Sequence, residues 1–148
     1  MCIRDSIKKG GNRTEADSAN LELVSLLISL LENKVPDSSD AVAAEYALIM
    51  AGAGIETSPL WRCAMDYSQF LPRGRYTESE SAAAYFRAVR YASTALFAFK
   101  PSAATGVSAK QAALNADRAR AFAEQLGREP IAEQYKHCLL YTSPSPRD

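Results

Sequence analysis

The sequence predicts an all-α protein of four to five amphipathic helices with one long ordered loop between the second and third. Three observations carry this. Apolar residues recur three and four positions apart in four separate stretches. Cap residues, glycines and prolines punctuate those stretches at their ends. No run is read as alternating with the two-residue period of a strand.

The first helix is expected near Glu15–Asn33, where Leu23, Leu26, Leu27, Leu30 and Leu31 share a broad apolar face and Pro36 acts as the stop. Asp37, Ser38 and Ser39 are cap candidates for the second, which places Val42, Tyr46, Ile49, Met50 and Ala53 together. Gly52 and Gly54 close it, because glycine enters left-handed geometry at little cost. Thr77-Glu78-Ser79-Glu80 reads as a capping box for the third helix, with Tyr85, Phe86, Val89, Ala92, Leu96 and Phe97 as its apolar stripe and Pro101 beyond its end. Ser108 and Gln111 form a second capping box. It opens a fourth helix with a small-residue face of Ala112, Ala116, Phe122, Ala123 and Leu126, ending at Gly127. A fifth begins near Pro130, since proline suits a first helical turn.

The connector from Ser58 to Glu80 is rich in aromatic residues and arginine, and a turn is expected at Leu71-Pro72-Arg73-Gly74. Its residues Asp66, Tyr67, Gln69, Arg73, Arg75 and Tyr76 are the candidate ligand-binding or structural loop. Two readings stand side by side. Arg73 and Arg75, next to a helix N-terminus, could cradle an anion. Alternatively they pair with Glu78, Glu80, Asp66 or Glu45 and brace the fold. Tyr67, Phe70 and Tyr76 read chiefly as packing residues with satisfied hydroxyls.

Composition narrows the chemistry. The 148 residues carry 17 Lys and Arg against 17 Asp and Glu, a balance that argues against a nucleic-acid surface. The longest apolar stretch, Leu21 to Glu32, is short and interrupted by Ser25 and Ser29, so no transmembrane segment is expected. The single histidine, His137, leaves no Ser/His/Asp triad, Cys/His dyad or histidine metal site to assemble, and no cofactor or metal is called for.

Both ends have an unusual origin by this reading. The codons permitted for Met1–Ser6, taken as their reverse complement, encode Cys138–Thr142 and the start of Ser143. The shared element is similar to a transposon end used in sequencing libraries. Residues 1–6 and 138–148 are therefore expected to be adapter translations of metagenomic origin, flanking a single helical domain fragment over 7–137. Within that fragment Cys63 is the sole cysteine, and beside Trp61 and Met65 it reads as a small buried hydrophobe.

The stretch Ala43–Val89 carries a resemblance over about a third of the chain. Glu45, Ser58-Pro59, Asp66-Tyr67-Ser68-Gln69, Pro72-Arg73-Gly74, Tyr76-Thr77 and Tyr85-Phe86-Arg87-Ala88 resemble the core of an uncharacterised family of large bacterial and archaeal lipoproteins, classed as a domain of unknown function. Two departures stand out. Arg75 replaces the box histidine, and Val89-Arg90-Tyr91 replaces a Met-Met-Trp. The resemblance implies part of a larger helical domain in an exported, lipid-anchored envelope protein, whose nearest partner is the remainder of its own longer chain. Two function classes follow. One is a structural or binding segment. The other is part of a carboxylate-based hydrolase, with Asp66 or Glu45 joined by Arg73 and Tyr67 in a cleft containing the 66–76 loop.

Overall fold

The computed structural model describes residues 14–94, 98–130 and 133–134. Four helices are well formed: α1 (Glu15–Glu32), α2 (Asp40–Ala51), α3 (Glu80–Thr94) and α4 (Ala109–Arg128). Between α2 and α3 the connector folds into an antiparallel ribbon, β1 (Ile55–Thr57) with β2 (Ala64–Asp66), followed by 3-10 turns at Tyr67–Phe70 and Gly74–Thr77. The molecule is thus mostly helical rather than purely all-α. Its ribbon corrects the expectation that nothing alternates: Trp61, Cys63, Met65 and Tyr67 are buried while Arg62, Ala64, Asp66 and Ser68 are exposed. That period-two pattern is present in the sequence, but it spans only a few residues and sits inside a stretch that reads as a loop.

Local chemistry sets each helix boundary. The Thr14 side chain accepts from the Asp17 amide and Asp17 answers to the Thr14 backbone, a reciprocal cap that opens α1. The helix ends before Pro36, because Asn33 turns left-handed at φ 52° and lets the Lys34 amide reach the Ser29 carbonyl. Ser39 caps α2, and Gly52 ends it at φ 59°. A Cβ on Gly52 would stand 2.5 Å from Leu71 Cδ2, so the glycine meets a close approach as well as a left-handed backbone. Ala53 falls beyond this helix and is exposed.

The start of α3 differs from expectation. Ser79, not Thr77, caps it by accepting from the Ala82 amide at 3.1 Å, whereas the Thr77 hydroxyl donates to the Gly74 carbonyl at 2.8 Å. Thr77 cannot cap because it closes the preceding 3-10 turn. No turn forms at Leu71–Gly74 either; that stretch is an extended link and Gly74, at φ 59°, opens the second 3-10 turn.

The inward faces also rotate from the expected stripes. In α3 the buried residues are Ala84, Ala88 and Tyr91, while Tyr85 and Val89 are exposed. Small side chains let α3 lie close to α1, its main helical neighbour. In α4, Gln111, Ala112, Asn115 and Arg118 point inward, and Ala116, Ala123 and Leu126 are exposed. Ser108 caps α4 through the Gln111 amide, but the Gln111 side chain donates to Asn115 instead of completing a box. Gly127 lies within the helix rather than ending it. The fifth helix, Leu96, Phe97, His137 and both adapter-like ends fall partly or wholly outside the described residues.

One apolar core joins Leu23, Leu26 and Leu30 of α1 with Val42 and Ile49 of α2, Tyr91 of α3, and Trp61, Met65, Tyr67 and Phe70 of the connector. The connector is therefore a wall of the core rather than a surface strap.

Candidate functional site

The most concentrated polar chemistry lies inside this core, at Glu45. Its place in α2, three after Val42 and four before Ile49, puts its carboxylate on the apolar face of that helix. It has no solvent exposure. A carboxylate there demands strong donors, since burial of an unpaired charge is prohibitive.

The connector supplies them. The Tyr67 hydroxyl donates to Glu45 Oε1 at 2.7 Å and the Tyr91 hydroxyl donates to the same oxygen at 2.9 Å. The Ser58 hydroxyl donates to Oε2 at 2.7 Å, and the Leu60 amide points to that oxygen at 3.3 Å. A second layer orients these donors. The Trp61 indole N–H donates to the Tyr91 oxygen and the Trp61 amide donates to the Ser58 hydroxyl, each at 3.0 Å. A tryptophan, two tyrosines and a serine thus converge on one carboxylate, and the donor set comes from the connector and α3 together.

Behind Trp61 stands a buried cation. The Arg118 guanidinium lies 3.9 Å from the indole ring centre, a cation–π contact. Its Nε donates to Asn20 Oδ1 at 3.1 Å and its Nη2 to the Ala19 carbonyl at 3.3 Å, while Asn20 Nδ2 donates to the Arg118 carbonyl. Trp61 therefore links Arg118, which lies over its ring, to Glu45, which it reaches through the Tyr91 and Ser58 hydroxyls, joining α4, α1, the connector, α3 and α2.

The environment moves the titrations accordingly. Burial, then the Glu45 charge and hydrogen bond, hold the Tyr91 hydroxyl protonated well above the ordinary phenol range. Burial and the Glu45 hydrogen bond raise Tyr67 in the same sense. Burial pushes the Cys63 thiol up, with the Glu45 charge adding to it, so this buried cysteine is a poor nucleophile. Desolvation brings Arg118 down to about 10, with Tyr91 and Glu22 opposing the drop.

The six loop residues singled out from sequence do not converge. Tyr67 joins the buried cluster. Asp66 is exposed on the opposite side of its strand, where its Oδ1 accepts from the Ser68 hydroxyl and amide, bonds that hold its carboxyl below the usual range. Gln69 accepts from Arg90 Nη2 at 2.9 Å. Tyr76 packs on Tyr85 and Phe86, with ring centres 6.5 and 5.0 Å apart. Arg73 and Arg75 are both exposed, and among the described residues no ion pair ties either to Glu78, Glu80, Asp66 or Glu45. The expected bracing pairs are therefore absent there, because Glu45 is already saturated by hydroxyls and both Arg73, just before the 3-10 turn, and Arg75, within it, lie on the surface. Arg75 is exposed, and among the described residues no hydrogen bond or ion pair joins it to the buried cluster.

By sequence, Glu45 is a candidate arginine partner or hydrolase carboxylate, and nothing in the spacing of Ser58, Trp61, Tyr91, Asn20 and Arg118 joins them to it in one network. The available signal was an acidic residue on an otherwise apolar helical face, Val42–Glu45–Tyr46–Ile49. Among the described residues no three His, Cys, Asp or Glu side chains gather as a metal site, and no helix is long and apolar enough to cross a membrane.

A family model described as "Protein of unknown function (DUF3160)" matches residues 5–143. No curated protein and no solved structure matches the chain.

Proposed function

Since the chain belongs to the DUF3160 family, whose description assigns no reaction, we propose that it is a structural or binding segment of a larger protein, built around a buried carboxylate that fastens its connector to the helices. The observation that carries this reading is the saturation of Glu45 by the hydroxyls of Ser58, Tyr67 and Tyr91. A catalytic carboxylate needs an open path to substrate and a changing set of partners. Glu45 is fully enclosed, and both its oxygens are engaged by hydroxyl donors.

The outer surface supports a role within a longer chain. Tyr85 is 54% exposed and Val89, one turn on, is 47% exposed, beside a Tyr76 that stacks on Tyr85. Such an apolar strip suits cover by neighbouring protein. The exported, lipid-anchored setting rests on the resemblance of the Asp66–Gln69 and Pro72–Gly74 motifs. It is tested by metabolic palmitate labelling of the complete gene product, where an unlabelled, soluble product removes it. Recovery of the source contig decides whether the codons of residues 1–6 and 138–148 are genomic.

The hydrolase reading makes Asp66 the surviving reactive carboxylate. Asp66→Asn and the Arg73→Ala/Arg75→Ala pair, made in the full chain, separate the two. A structural segment loses only the small contribution of the Asp66–Ser68 bonds in Asp66→Asn, retains parental melting in the arginine pair, and hydrolyses no glycoside. Turnover of an aryl glycoside that Asp66→Asn abolishes would overturn the structural reading.

A further inference from the structure

The ribbon has one covered edge and one open edge. Tyr67 N donates to the Gly54 carbonyl and Ser58 N to the Cys63 carbonyl, so these flanking pairs mark the hydrogen-bonded phase of the ladder. Antiparallel alternation makes Glu56 and Met65 the next bonded pair and leaves Ile55–Asp66 and Thr57–Ala64 non-bonded. The backbone N–H and C=O groups of Ile55 and Thr57 therefore point away from β2. On the far side of the ribbon the equivalent outward amide, Ala64 N, donates to the Thr105 carbonyl at 2.9 Å. No such bond reaches Ile55 or Thr57 among the described residues. All three residues of β1 are exposed, and Ile55 is a large apolar side chain 74% in solvent.

We propose that β1 is a docking edge that accepts an extended segment of another polypeptide as a third strand, with lysine or arginine opposite Glu56 and apolar residues on either side. Two backbone positions spaced by two residues supply four bonds, the unit by which an extended peptide adds to a sheet. Side-chain charge selects the occupant. The charged side chain that β1 exposes is Glu56, on the face of the ribbon opposite that of Ile55 and Thr57. A second copy pairing antiparallel in the one register that engages both outward positions of each β1 would set Ile55 against Thr57 and place Glu56 directly against Glu56 in the closer, non-bonded type of pair. Like charges so placed repel, so the edge selects a basic strand over its own copy. A lone two-stranded ribbon is marginal, and a third strand strengthens it.

The test uses the full 148-residue chain and an end-capped heptapeptide alternating valine with lysine, followed by amide hydrogen exchange. Saturating peptide should slow exchange at Ile55 and Thr57 by about tenfold or more and leave the already bonded Glu56 amide unchanged. Glu56→Lys should weaken binding roughly three- to tenfold. Thr57→Pro should abolish it, since proline removes an outward donor without touching the β1–β2 ladder. A peptide N-methylated on its bonding edge should fail against the parent, which keeps the test decisive if Thr57→Pro disturbs folding. Undiminished binding of the N-methylated peptide, unchanged exchange at Ile55 and Thr57, or self-association through β1 would each overturn the proposal.

Discussion

Glu45 shows how a single residue can dictate what surrounds it. Once a carboxylate sits on the buried face of α2, its acceptors must be filled, and Ser58, Tyr67 and Tyr91 fill them. Removing the acceptor strands those hydroxyls in an apolar core. Glu45→Ala should therefore cost at least about 3 kcal/mol, read from the midpoint of urea denaturation, while the isosteric Glu45→Gln costs about 1–3 kcal/mol. An unchanged midpoint in both variants would show that the cluster is incidental to stability. The same residues set a pH dependence. Tyr67, Tyr91 and Cys63 hold their protons in the fold at pH values where the unfolded chain releases them. Stability from each is complete below the ordinary thiol or phenol value and falls as pH rises past it. Arg118, lowered to about 10, works the other way: its folded form loses one proton first and so offsets one of the three releases. The net result is a decline in stability above about pH 9. Urea melts across that range should show it, and Tyr67→Phe should flatten the slope.

At the scale of elements, the termini are the legible part. Ser39, Gly52 and Ser108 act as the sequence suggests, because a cap depends on two or three adjacent residues. The α3 cap misleads for an equally local reason: threonine at position 77 and serine at position 79 both fit, and the preceding 3-10 turn, which Thr77 closes, decides between them. Ser79→Ala should lower the thermal stability by about 1 kcal/mol and Thr77→Ala by less than about half that. The reverse order in calorimetry would restore Thr77 as the cap. Gly52→Ala should cost about 1–2 kcal/mol from its left-handed backbone alone, and more where Leu71 cannot swing aside. A melting temperature unchanged by that substitution would mean that Leu71 and the helix end move freely. Helix faces are less legible than helix ends. Hydrophobicity alone would bury Tyr85 and Val89, yet α3 turns Ala84 and Ala88 inward because a close approach to α1 needs small side chains.

The whole molecule is a set of helices closed by a connector that is as buried as they are. Trp61, Tyr67 and Phe70 are each at most 1% exposed, so the segment most easily taken for a loop supplies much of the core. Its release should then be a global event. Cys63, 3% exposed immediately before the second ribbon strand, reports on it. Alkylation of Cys63 should remain slow in the native chain and accelerate with urea in parallel with loss of helix signal. Fast labelling at native conditions would mean that the connector opens by itself. The approximate positions of four helices, several of their caps, the balanced charge and the capacity of Cys63 for burial follow from the sequence alone, because propensity, capping and hydropathy act over a few neighbouring residues. Only the tertiary structure brings Glu45 together with Tyr91, separated by 46 positions, and Asn20 with Arg118, separated by 98. A buried charge takes its partners from whatever surface folds against it, and that choice is made by packing in three dimensions rather than by spacing along the chain.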